Sequence, residues 1–206
     1  MTSFVEHRPR GLDGVARFPE NHRLLRQSSG LKVVDVFIGA GRAERPHTHL
    51  LDSYMFTDQP APIVVRLVDA AGRRKVVFER RRQLKQPRRP SAHPVAAEPL
   101  HYVTNTGRRD YRATRVEFKQ GSGRLKDCAV AAKGVLTWRS AVEAVVVGRT
   151  GGALRLLRRV RAGWQAVEAL KNGKRRPQVW QLSAGAYRLE NPSRRVERVY
   201  RLSSAS

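Results

Sequence analysis

The chain predicts an all-β protein, an antiparallel barrel or sandwich. Three observations point there: short β-branched stretches, turn residues at close intervals between them, and no convincing helix in the first half. The 206 residues suffice for one large β domain or two small ones, and a 40% hydrophobic composition is enough to build a core.

Met1 to Gln27 mixes Pro, Gly, Arg and His with few apolar runs and reads as an extended arm, of which we set residues 1–22 apart from the first folded unit. Leu31 to Ile38 (LKVVDVFI) reads as a strand buried on both faces, ended by Gly39 and Gly41. Ile63 to Val68 and Lys75 to Phe78 form a hairpin through Asp69-Ala70-Ala71-Gly72, whose Asp and Gly suit the first and fourth positions of a type I turn. Pro87, Pro90, Pro94 and Pro99 make Gln86 to Leu100 poor helix and poor central strand. Tyr111 to Lys119 closes the first unit, 23–120, with Val116 and Phe118 opposite Arg115, Glu117 and Lys119.

The second unit, 121–206, has strand-like segments at Val142 to Val147, Val179 to Leu182 and Val196 to Leu202. Leu154, Leu157, Val160, Trp164, Val167 and Leu170 recur at helical spacing, but Arg161-Ala162-Gly163 also suits a hairpin turn. Residues 150–171 therefore stay open between helix and hairpin, the hairpin preferred. A repeat favours it: Asn105-Thr106-Gly107-Arg108-Arg109 and Asn191-Pro192-Ser193-Arg194-Arg195 each precede a final strand.

Lys and Arg number 41 against 17 Asp and Glu, a net charge of +24. Such a surface attracts polyanions in a salt-dependent way. The basic residues occur in nearly every segment, densest from Arg73 to Arg89 with Phe78 as the one aromatic, so nucleic-acid binding is expected to be non-specific. The lone Cys128 excludes a disulfide scaffold within the chain and suits a reducing compartment. No stretch approaches the ~20 apolar residues of a membrane span, and Glu6, His7, Arg8 and Arg10 stand where a signal peptide would be apolar. The expectation is a cytoplasmic protein without a membrane partner.

All six histidines lie in the first half. His47 and His49, two apart, share one face of a strand and aim two imidazoles into the same space. A divalent ion held there needs a further ligand from another strand, and His101 is a candidate.

Gly41, five residues, then His47-Thr48-His49, followed far downstream by His101, three residues and Asn105, resembles the two motifs of the cupin superfamily. The resemblance covers Leu24 to Lys119. It implies a double-stranded β-barrel (jelly roll) with a divalent metal on His47, His49 and His101, Fe(II) favoured over Mn, Ni or Zn. The family's Glu would fall at Ser53 or Tyr54. Asp52 is the nearest carboxylate, but strand parity turns it outward unless a bulge intervenes. Pro90, Ala96 and Glu98 stand where Gly, Pro and Gly are usual, and His93 is an alternative ligand. Three neutral imidazoles leave coordination positions open, as a substrate-binding non-haem iron needs.

The second half then resembles a degenerate second barrel of a bicupin. Tyr187 holds the place before Asn191 that His101 holds before Asn105, and with no His in this half an equivalent metal site is excluded. Its expected role is to cover a sheet edge or to form the surface of a homodimer, with Trp138, Trp164 and Trp180 in core or interface. The functional expectation is a metal-binding cupin, possessing dioxygenase-type chemistry on a small organic acid that Arg66 or Arg115 would pair with. The rival classes are a non-catalytic bicupin binding or assembly module and a basic nucleic-acid-associated protein.

Overall fold

The computed structural model describes residues 4–87, 89–140, 144–150, 153–170 and 176–204. Arg88 of the basic stretch, and Val142 and Glu143 of the strand expected over 142–147, lie outside the described residues.

After β1 (His22–Gln27), eight strands follow: β2 (Leu31–Ile38), β3 (His47–His49), β4 (Ser53–Gln59), β5 (Ile63–Val68), β6 (Arg74–Arg80), β7 (Ser91–Val95), β8 (Glu98–Asn105) and β9 (Tyr111–Phe118). Eight more come next: β10 (Gly123–Val130), β11 (Val135–Ser140), β12 (Ala144–Thr150), β13 (Arg155–Val160), β14 (Gly163–Ala166), β15 (Pro177–Leu182), β16 (Gly185–Glu190) and β17 (Glu197–Ser204). The first set forms two sheets in the orders β1-β2-β9-β4-β7 and β3-β8-β5-β6, and the second forms β10-β17-β12-β15 and β11-β16-β13-β14. Strand for strand, β2 to β9 and β10 to β17 repeat one topology, and the pairings between these strands are antiparallel.

The repeated Asn marks the same corner in both halves. Asn105 donates from Nδ2 to Ile38 O and Arg109 O and accepts from Gly107 N, while Asn191 donates to Val130 O and Arg195 O and accepts from Ser193 N. Each amide ties the end of the repeat's first strand to the turn before its last, satisfying buried carbonyls that no ladder reaches.

The expected hairpin at Asp69–Gly72 is present. Asp69 accepts from the backbone N–H groups of Ala71 and Arg73, and Gly72 takes φ +77°, a region costly for a side chain. The segment open between helix and hairpin is a hairpin: β13 pairs with β14 across Arg161-Ala162, so Arg155, Arg158 and Arg159 are spread along a strand and form no helical basic face. The Pro-rich stretch supplies β7 at a sheet edge, where Pro94 breaks no central ladder.

Three corrections concern packing. The segment before β1 is not extended: it carries a 3-10 turn (Arg10–Leu12) and helix α1 (Gly14–Arg17), capped by the Asp13 side chain. It also accepts a bond from Leu100 N at His7 O and bridges Asp13 to Thr48. The second half covers a sheet face of the first, not an edge: Leu31, Val33, Phe56, Val116 and Phe118 pack against Val147, Val179, Tyr200 and Leu202. Of the three tryptophans only Trp180 is fully buried; Trp138 stacks on Tyr187, and Trp164 stays 38% exposed. Trp180, Tyr187 and Leu189 are among the side chains that fill the interior of the second barrel.

Candidate metal centre

Between the two sheets of the first barrel lies a cavity of about 480 Å³. Val36, Ile38, Met55, Ile63, Val65 and Val103 give it apolar walls, and edge strands β6 and β7 frame it with Phe78 and His93. A bulge in the β5–β6 ladder leaves Val77 unpaired, so Val77 and Phe78 both face the cavity.

The rings of His47, His49 and His101 lie close together. His47 pairs with His101 across the β3–β8 ladder. Ring centroids lie 5.0 Å apart for His47–His49, 4.5 Å for His47–His101 and 5.6 Å for His49–His101. A fourth ring, His22 at the head of β1, is 4.4 Å from His47 and 4.9 Å from His49. All four are at most 2% exposed.

Hydrogen bonds fix the tautomers. His47 Nδ1 lies 2.8 Å from Arg45 O, His101 Nδ1 2.8 Å from Pro99 O, and His49 Nδ1 2.7 Å from Glu117 Oε1. A backbone carbonyl can only accept, so Nδ1 of His47 and of His101 carries the hydrogen, and His49 Nδ1 pairs with the Glu117 carboxyl. Among the described residues His47 Nε2 is buried with no hydrogen-bond partner. Burial, with the neighbouring cationic groups, holds His22 and His49 well below the ordinary imidazole pKa and takes His47 down to about 3. These rings are therefore neutral, the form that binds a metal.

Buried charge surrounds them. The charged face of β9 turns inward: Arg115 Nη1 donates to Glu98 Oε2 at 2.6 Å, and its Nε lies 3.3 Å from Glu117 Oε1. Glu117 reaches Lys32 at 3.4 Å, and Lys32 reaches Asp13 at 3.4 Å. Burial raises Glu117, with Arg115 and Lys32 pulling the other way. Burial also opposes ionisation of Glu98, but Arg115 and the nearby rings outweigh it and hold that carboxyl low. Glu44 is buried, accepts from Val103 N, and is pushed up to about 8 chiefly by desolvation. Two groups of potential donors share His49: His22, His47 and His49, and His49, Glu98 and His101.

The other candidates lie elsewhere. Asp52 is exposed and accepts from Ala97 N at 2.9 Å, so it pins the turn before Glu98 and supplies no donor to the cluster. Arg66 donates to Thr104 Oγ1 and sits over the Tyr102 ring, away from the cavity lining; of the two candidates Arg115 faces inward, and Arg80 also lines the cavity. His93 stands at the cavity rim. Sequence reasoning missed His22, Glu44 and Glu117 and saw Glu98 only as a departure from a motif. The alternation of β9 could have flagged Glu117 beside Arg115; no spacing signal marks His22.

No family model and no curated protein sequence matches the chain. Solved structures do resemble it. An oxalate decarboxylase from Lactobacillus farciminis in a formate complex aligns with TM-score 0.57 and 9% identity over 89% of this chain and 80% of that one. AerE from Microcystis aeruginosa aligns at 0.55 and 9% over 90% and 98%, and a salicylate 1,2-dioxygenase from Pseudaminobacter salicylatoxidans at 0.54 and 7% over 85% and 71%. Such identities speak for the fold alone: an all-β, double-stranded barrel protein. The fold is a cupin-like jelly roll, and the second half of the chain repeats its strand order.

Proposed function

We propose that the first barrel is a divalent-metal centre held by His47, His49 and His101, and that the protein is a metal-dependent enzyme of the dioxygenase type acting on a small organic acid. The observation that carries this reading is a shared arrangement: three buried, closely packed imidazoles each commit Nδ1 to a fixed oxygen, which leaves Nε2 as the donor atom for an ion. Protein metal sites orient imidazole ligands in this way, with a backbone carbonyl or carboxylate behind each ring. Imidazole donors without thiolate suit Fe(II), the ion we favour, with Mn, Ni and Zn as alternatives.

The bound ion would supply Lewis-acid polarisation and, as iron, redox chemistry with dioxygen. The chain supplies the rest. The apolar walls exclude water around a small organic molecule and strengthen every charge contact inside. Arg115 Nη2, buried with no hydrogen-bond partner among the described residues, offers an N–H to an anionic oxygen of the substrate. Glu98 and Glu117 hold that guanidinium in place. The second barrel, filled by Trp180 and Tyr187, serves as packing for the outer face of the first.

Metal analysis of purified protein tests the centre. About one ion per chain is expected for the wild type and almost none after His47→Ala, His49→Ala and His101→Ala are combined. Equal metal content in the two proteins would remove the reading. Dioxygen uptake with a panel of small carboxylic acids then tests the reaction type.

A further inference from the structure

The fourth buried ring has no role in that ligand set. His22 lies outside both His motifs, on β1, and enters the cluster from the sheet opposite His47 and His101. Its Nδ1 is buried and has no hydrogen-bond partner among the described residues. Its Nε2 lies 3.6 Å from Glu44 Oε1, while the other Glu44 oxygen is fixed by Val103 N–H at 3.1 Å. His22, His47 and His49 can bring one donor atom each within 4.8 Å of one another.

The pattern matches His47 with the two nitrogens exchanged. In His47, Nδ1 meets an acceptor oxygen and the buried Nε2 has no hydrogen-bond partner among the described residues. In His22 the nitrogen near an oxygen is Nε2 and the free one is Nδ1. An imidazole with neither nitrogen well satisfied is an expensive thing to bury unless something else takes the lone pair.

We propose that the metal centre has four histidines, with His22 binding through Nδ1 and Glu44 acting as the carboxylate behind it. The pairing of Glu44 with His22 then parallels that of Glu117 with His49. Glu44 Oε1 faces His22 Nε2 and would accept its N–H once Nδ1 is given to the ion. Glu98, tied to Arg115 at 2.6 Å, is the competing donor. The proposal rests on a metal being bound at all, and its test separates the two questions.

Long-range ¹H–¹⁵N correlation spectra of the full-length wild type, recorded with and without one equivalent of Zn(II), report the protonated and metallated nitrogen of every ring. The expected result is Zn(II) on Nδ1 of His22 and on Nε2 of His47, His49 and His101. Zinc binding that leaves the His22 ring in its metal-free pattern overturns the fourth ligand and spares the centre itself; no binding at all overturns the centre and this proposal with it. Chelator competition adds an independent measure. His22→Asn and Glu44→Gln should each weaken Zn(II) binding roughly 10- to 100-fold, the range found for ligand-orienting partners. Glu98→Gln should leave the His22 signals unchanged. Unaltered affinity in folded His22→Asn protein would also overturn the proposal.

Discussion

His47 illustrates how tightly the donors are fitted. Its ring is held at Nδ1 by Arg45 O and faced by the edge of Phe18. On another side stands Gly14, where an added Cβ would fall 2.6 Å from Cδ2 of the ring. The ring cannot retreat without losing its acceptor, so Gly14→Ala should displace it. Stability should fall by about 1–3 kcal/mol, as for other overpacked sites, and metal affinity by roughly tenfold, as when a ligand loses its orientation. Thermal melting and chelator competition would measure the two effects, and an unchanged affinity would mean that the ring has slack. The pairing of His47 with His49 was legible because strand parity places i and i+2 together, and His101 was reached through the resemblance of its motif. His22 was not, because a register between distant strands leaves no mark on spacing.

At the scale of the element, the two Asn-held corners offer an internal comparison. Both amides are buried, and both cross-link the first and last strands of their repeat. Removing either strands carbonyls that no water reaches, at about 2–4 kcal/mol. Asn105→Ala and Asn191→Ala should therefore cost similar stability in denaturant titration, while only Asn105→Ala should lower metal loading. The repeat was visible in these corners alone. The strand-by-strand correspondence was hidden, because equivalent strands share almost no residues and differ in burial: β2 is largely buried where β10 is half exposed, and His101 corresponds to Tyr187. The helical spacing of Leu154 to Leu170 misled for a related reason. Val160 and Trp164 flank a hairpin turn, and a turn breaks strand parity in a way that imitates a 3.6-residue period.

For the molecule as a whole, the basic composition conceals where the acids are. Asp35, Glu44, Asp58, Asp69, Glu117 and Glu197 are all buried, which leaves the surface more cationic than the sequence total suggests. Arg176 of the second repeat reaches Asp35 at 2.7 Å and Asp58 at 3.4 Å on the first, an ion cluster set between the halves. Burial raises Asp58 to about 6 despite Arg176, and raises Glu44 to about 8. The fold favours the protonated form of both, so their stabilising effect is present in acid and lost as pH rises through those values. His22, His47 and His49 act in the opposite sense: they are neutral when folded and take up protons when unfolded, so each withdraws stability as pH drops below 6.5. In that range the three rings act against Glu44, Asp58 and Glu117, whose protonated forms the fold favours. The melting temperature of metal-free protein should fall as pH is lowered from 6.5 to 4.5, where the rings charge only on unfolding. A flat profile would mean that the rings already carry protons in the folded state.

The residues ahead of β1 bear on how the protein is handled at the bench. Because His7, Asp13, Gly14 and Phe18 lie against the cluster, directly or through the bonds of Leu100 and Lys32, they form part of its back wall. Trimming the amino terminus as an apparent tail would admit solvent behind His47, and a polyhistidine tag fused there would set rival imidazoles beside the native ones. Affinity handles belong at the other end.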